Sequence, residues 1–140
     1  RRELIYLLVA AGGGSVLISA FKSISHVSCV WDFSRYGGKL EYASVYSQIL
    51  NMSGDNCFPA GHASGGYAWL AFYFLGVYKH SKWRWIGLGG ALSVGLIFGF
   101  SQQLRGAHFI THDLWTLAIC WFFSLFIFKL MFLGRLPSQQ

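Results

Sequence analysis

Charge is what this sequence has least of. Lys, Arg, Asp and Glu make up 11% of its 140 residues, against about 25% in an ordinary soluble domain. Five acidic residues face eleven basic ones, which leaves a formal net charge of +6. Proline is scarce too, and no stretch is Pro-rich, Ser-rich or repetitive. That excludes a flexible linker and leaves 1–140 as one domain. A basic stripe interleaved with aromatics is also missing, because the cations sit in short clusters between apolar runs. This distribution excludes nucleic acid as a partner and makes the positive charge a matter of membrane topology. The chain opens Arg1-Arg2-Glu3 without an initiator Met and enters an apolar run at once. A cleavable signal would need a small-residue site, and Ser19-Ala20 offers one. The run, with Gly12-Gly13-Gly14, reads better as a membrane helix that further helices precede.

What remains is apolar: 54% of residues are hydrophobic and 19% aromatic. A membrane-crossing helix needs about 20 mostly apolar residues. Four segments qualify, 4–21, 59–78, 85–104 and 114–134, and none has an acid in its apolar middle. Glycines and alanines within them suit close packing of membrane helices. Tyr78, Trp83, Trp85 and Trp115 fall near their ends, as interfacial aromatics do. The expected fold is an all-α polytopic membrane helix bundle with four spans.

Four crossings sort the charges. Both termini share one side with Lys79-His80-Ser81-Lys82-Trp83-Arg84, which gathers Arg1, Arg2, Lys79, Lys82, Arg84, Lys129 and Arg135 against Glu3 alone. The other side holds Lys22, Arg35, Lys39 and Arg105, diluted by Asp32, Glu41, Asp55 and Asp113. The positive-inside rule puts the first side in the cytoplasm. Loop 22–58 and segment 104–113 then face outward, to the periplasm of a bacterial inner (plasma) membrane or to the exterior. Cys29 and Cys57 lie in that loop, one after the first span and one before the second, and are disulfide candidates. Cys120, inside the last span, reads as a small apolar packer.

The outward polar residues concentrate at helix ends. Lys22 closes the first span, Pro59-Ala60-Gly61-His62-Ala63-Ser64 opens the second, and Arg105-Gly106-Ala107-His108-Phe109-Ile110-Thr111-His112-Asp113 joins the third to the fourth. Ionisable groups at membrane depth are costly and mark function. Two cations, three His and a carboxylate at one level describe a site for an anion. Lys22 and Arg105 supply charge-assisted donors to phosphate oxygens, and the helix start at Gly61 supplies backbone N–H groups. One His attacks phosphorus while a carboxylate holds its other nitrogen protonated, and a second His protonates the leaving group. Asp113 is the nearby carboxylate.

At these residues the sequence resembles the type 2 phosphatidic acid phosphatase superfamily. FPAGHAS is similar to its P-S-G-H signature, and RGAHFITHD to its third signature, S-R-x5-H-x3-D. The resemblance runs over about residues 22–118. It implies six membrane helices in the complete protein, His108 as the nucleophile that forms phosphohistidine, and His62 as general acid. Lys22, Arg105 and Gly61 would hold phosphate, with no cofactor and no metal. The implied reaction is hydrolysis of a lipid phosphomonoester or diphosphate in the bilayer, with phosphate transfer to another acceptor also open.

Several positions depart from the pattern. The first signature, K-x6-R-P, has Cys29-Val30 after Lys22, so its Arg is absent and Arg35 is the substitute in the loop. Ala60 stands where the family has Ser. Gln102 fills the usual Arg slot, with Arg105 about one turn later, and His112 fills the usual Asp slot, with Asp113 next. Either the loop shifts register and Arg105 and Asp113 take those roles, or His112 orients His108. Two rival readings stand beside this one. His108 and His112, spaced i, i+4, could hold zinc with Asp113 or His62, although no H-E-x-x-H motif is present. Alternatively, the bundle binds or transports an anionic lipid without cleaving it.

Overall fold

The computed structural model describes residues 1–52 and 54–132. Two isolated bridges, Val27 with Asn56 and Phe33 with Leu40, are the only β-type pairings among them. Helix α1 runs Arg2–Ser25 with a π-helical stretch, Leu8–Gly12, inside it. It ends where His26 turns left-handed, φ 49°. Helix α2 (Val45–Asn51) lies within the long connection, and the Ser44 hydroxyl caps it by accepting from the Ser47 amide at 3.2 Å. Helices α3 (Gly61–Tyr67) and α4 (Ala71–Tyr78) are joined by a 3-10 stretch, Ala68–Leu70. Helices α5 (Arg84–Leu104) and α6 (Ile110–Phe132) complete the described chain.

Three of these helices, α1, α5 and α6, are long and apolar enough to cross a membrane. The α3–α4 run, expected as a fourth crossing, is outside that group. Its first half is Gly61-His62-Ala63-Ser64-Gly65-Gly66, whose small and polar residues dilute its hydropathy. The last helix starts earlier than expected, at Ile110; the end of span 114–134, and Arg135 with it, lie outside the described residues. The outward faces stay apolar, with Leu8, Leu96, Ile97 and Phe126 all more than half exposed. Such a continuous apolar surface suits lipid.

Small residues let α3 sit in the centre, against α1, α5 and α6. A methyl added to Gly66 would collide with the backbone of Gly95 and Val94, and one on Gly95 would strike the Tyr67 ring. Backbones this close require glycine, and membrane helices associate largely through such contacts. Around the crossing lie Ile18, Ala60, Ala63, Tyr67, Leu70, Ala91 and Cys120. Towards the other end the core turns aromatic. Tyr6, Phe74, Phe128 and Phe132 pack together, the Tyr6 hydroxyl donates to the Ser124 carbonyl at 3.2 Å, and Lys79 meets Glu3 at 2.8 Å.

The connection from His26 to Ala60 folds over the end opposite that ion pair. Cys29 and Cys57 are joined by a disulfide with Cα atoms 5.1 Å apart, and the Cys57 amide donates to the Val27 carbonyl at 2.8 Å. Buried Gln48 ties α2 down: its side-chain oxygen accepts from the Ser28 amide, and its NH2 donates to the Ala43 carbonyl, both at 2.8 Å. The Trp31 amide donates to the Gly106 carbonyl at 2.9 Å, while Phe33, Tyr36 and Tyr42 surround Phe109. The segment between α5 and α6 is thereby pinned from above.

Candidate active site

The capped end gathers residues from three helices and one turn. Lys22, in the last turn of α1, reaches over the start of α3. A methyl on Gly61 would lie 3.7 Å from both Cδ and Nζ of that lysine, an ordinary contact, which places the ammonium beside the first residue of α3. Ala60, just before α3, is fixed to α6 at both backbone groups. Its amide donates to the His112 carbonyl at 3.5 Å, and its carbonyl accepts from the Thr116 hydroxyl at 3.1 Å. His62 follows and is exposed.

His108 is held by the turn between α5 and α6. The Ala107 amide donates to the Gln102 carbonyl at 2.9 Å, and Gly106 takes the left-handed φ of 71° that this return requires. The ring is buried, 5% exposed. Burial first, then the neighbouring His112, Lys22 and His62, push its pKa down from 6.5 to about 4, against a smaller upward pull from the Cys57 carbonyl. Three of the residues expected at the site therefore bear electrostatically on the fourth, and His108 is a neutral imidazole at ordinary pH.

His112 is fully buried. Its Nδ1 lies 3.2 Å from the Cys57 carbonyl oxygen and 3.5 Å from Nδ1 of His108. Its Nε2 has no partner among the described residues. Asp113, expected to hold His108, points elsewhere. It accepts a hydrogen bond from the Gln103 side chain and presses against Gly99 of α5, where a methyl would come within 2.7 Å of its carboxyl carbon. Helical phase explains the exchange. Neighbouring residues on a helix point about 100° apart, so when His112 faces the turn, Asp113 faces α5.

The remaining candidates stand outside this cluster. Arg105 is exposed, with its guanidinium 5.9 Å over the Trp31 ring. Arg35 is exposed in the short turn Ser34–Tyr36. Gln102 is buried and serves through its backbone carbonyl. Three polar anchors escaped the sequence reading: Gln103, Gln48 and Thr116. Each was detectable only as a polar residue in or beside an apolar run. Their partners are a distant carboxylate and backbone groups, which no spacing announces. Among the described residues, no three His, Cys, Asp or Glu side chains converge as metal ligands. His108 precedes the first turn of α6, so the i, i+4 pair does not share a helical face.

The fold is thus an all-helical bundle with three helices long and apolar enough to cross a membrane, and it brings a lysine and three histidines to one end. The chain belongs to the PAP2 superfamily, whose family model matches residues 3–135. That superfamily consists in general of phosphatases. No curated protein and no solved structure matches the chain.

Proposed function

We propose that the chain is an integral-membrane phosphatase acting on a lipid phosphomonoester or diphosphate through a phosphohistidine on His108. The observation that carries this reading is the convergence of Lys22, His62 and His112 on a buried imidazole kept neutral. A neutral ring has the lone pair that attack on phosphorus needs. Nδ1 of His108 faces His112, so Nε2 is the nitrogen left for the substrate. In the first step the Nε2–P bond forms and the P–O bond to the lipid breaks, with protonated His62 giving its proton to the departing oxygen. In the second, His62 takes a proton from water as that water displaces the imidazole. Lys22 and the backbone at Gly61 hold the phosphate oxygens. Arg105 would join them only by leaving Trp31.

The lipid portion has a matching space. A cavity of about 630 Å³ between α1, α2 and α6 is lined by Phe21, Ile24, Tyr46, Ile49, Trp115 and Pro59, the last of these adjoining Ala60-Gly61. An apolar chain lying there would bring its headgroup to the histidines. In this reading α3–α4 is the fourth crossing. The Glu3–Lys79 pair then lies at the cytoplasmic end with Arg1, Arg2, Lys82 and Arg84, and the histidines face outward.

The test is phosphate release from a panel of lipid phosphates by the full-length protein in detergent, with and without chelator, beside His108→Ala. Chelator-resistant release that disappears in the variant supports the reading. A second reading, binding of an anionic lipid without cleavage, draws on the position of Arg105 over Trp31, which leaves Lys22 as the cation at the cluster. Folded protein that binds a lipid phosphate but releases none from any substrate would favour it.

A further inference from the structure

An imidazole attacks through Nε2 only if its proton sits on Nδ1, and an acceptor at Nδ1 keeps it there. That place is commonly given to a carboxylate. Here the charged and titratable groups around His108 are Lys22 from α1, His62 from α3 and His112 from α6. Asp113 is turned to Gln103, and Asp32 of the covering loop is occupied by the Cys29 amide at 2.8 Å. Among the described residues, the side chain within hydrogen-bond reach of His108 Nδ1 is His112, Nδ1 to Nδ1 at 3.5 Å; the Cys57 backbone carbonyl also bears on the His108 ring as an acceptor.

We propose that His112 is the positioning residue of His108: its bare Nδ1 accepts the Nδ1–H of His108, so that a neutral imidazole serves where a carboxylate is usual. The inference rests on the phosphohistidine reading above and adds to it a control by tautomer. The Cys57 carbonyl, 3.2 Å from the same nitrogen, is the competing partner. A carbonyl only accepts. When His112 carries its proton on Nδ1, that proton goes to Cys57, and His108 keeps its own on Nε2, where it cannot attack. When His112 carries its proton on Nε2, its Nδ1 is free to accept from His108, and Nε2 of His108 becomes the nucleophile. The ring of His112 borders a cavity of about 180 Å³ that Ser28, Tyr42, Gln48 and Thr111 also line. The disulfide partner of Cys29 thus supplies the carbonyl against which the tautomer is balanced.

A neutral acceptor stabilises the His108 cation less than an anion would. This difference gives a readout that simple loss of packing does not produce. The measurement is kcat/KM against pH for the full-length protein and for His112→Asp, His112→Ala and Asp113→Asn. His112→Asp should stay active while the acid limb of its profile rises by roughly one to three pH units, the shift that a nearby opposite charge produces. His112→Ala should lose turnover by about 100-fold or more, and Asp113→Asn should leave the acid limb in place. An unmoved limb in active His112→Asp, or a moved one in Asp113→Asn, overturns the assignment. Should His112→Asp fail to fold, 15N NMR of the unsubstituted protein decides it. A proton on Nδ1 of His108 supports the proposal, and one held on Nε2 throughout substrate binding overturns it. His108→Ala separates the two levels. Phosphate release surviving that change sinks the phosphohistidine reading itself; release abolished there, with the limb unmoved in His112→Asp, removes only the role of His112.

Discussion

The two ends of the bundle are built from different materials. One end is aromatic and interlocked: Tyr6 meets Phe128 and Phe132 edge-on at 6.0 and 5.6 Å, and Phe74 fills the space between. The other is lined by Ala60, Gly61, Ala63, Gly66, Gly95 and Gly99, residues with almost no side chain. Large rings bury area and hold helices apart at ring distance. Small residues forgo that area, and in exchange they let backbones approach until groups from separate helices meet. Lys22 from α1, His62 from α3 and His112 from α6 all bear on His108 at this end. The aromatic end is where a change should cost stability, and the glycine end is where it should cost chemistry.

This contrast can be broken at several points. The largest effect is expected for His108→Ala, which removes the nucleophile and should abolish phosphate release with little change in thermal stability; a large loss of stability would show the ring to be a packing element. Phe128→Ala should do the reverse. It should cost about 3–5 kcal/mol of stability, on the scale of buried aromatics in soluble cores, while kcat per folded molecule stays near its original value. Gly66→Ala is expected to cost about 1–3 kcal/mol, because its methyl meets the Gly95 backbone, and unlike Phe128→Ala it should lower kcat as well. Tyr6→Phe, which removes the hydrogen bond to Ser124, should cost about 0.6–1.7 kcal/mol, the range for polar contacts between membrane helices. Smallest is Glu3→Gln, which breaks a half-exposed pair worth under about 1 kcal/mol.

Acid should sharpen the same distinction. The pKa of His108 drops from 6.5 to about 4 in the folded protein. Between those values the unfolded chain binds the proton and the folded one does not. The stability linked to this ring is therefore complete above 6.5 and is lost as pH falls towards 4. Thermal melts of the protein and of His108→Ala over this window should separate on acidification, with the unsubstituted protein losing more stability than the variant. Parallel curves would place the pH dependence elsewhere.

Much of this architecture was legible in the sequence, because apolar length alone marks α1, α5 and α6. Lys22, Gly61, His62 and His108 were legible too, since each stands at a helix end on the same side of the bundle. The partners of Asp113 and Arg105 were not. Both depend on where α6 begins and how it is rotated, and a shift of one residue turns a side chain by about 100°. The turn at Gly106 settles that phase, and apolar periodicity carries no record of it. Within loop 22–58, the helix Val45–Asn51 also escaped detection. A helix of two turns has little stability of its own, and this one depends on Gln48 reaching Ser28 and Ala43 across the loop.

The contact of Gly66 with Gly95 has a mechanical consequence. The α3–α4 run and α5 lie against each other along their length, with Gly76 against Arg84 and Gly87 against Phe72 as well. Gly61 lies only about one and a half turns from Gly66 along α3. A wedge as small as one methyl at Gly66 would push the start of α3 away from α5, and misplacement by about 1 Å can cost a reaction about 100-fold. From glycine every substitution adds at least that methyl, so no smaller step exists by which this spacing could be adjusted.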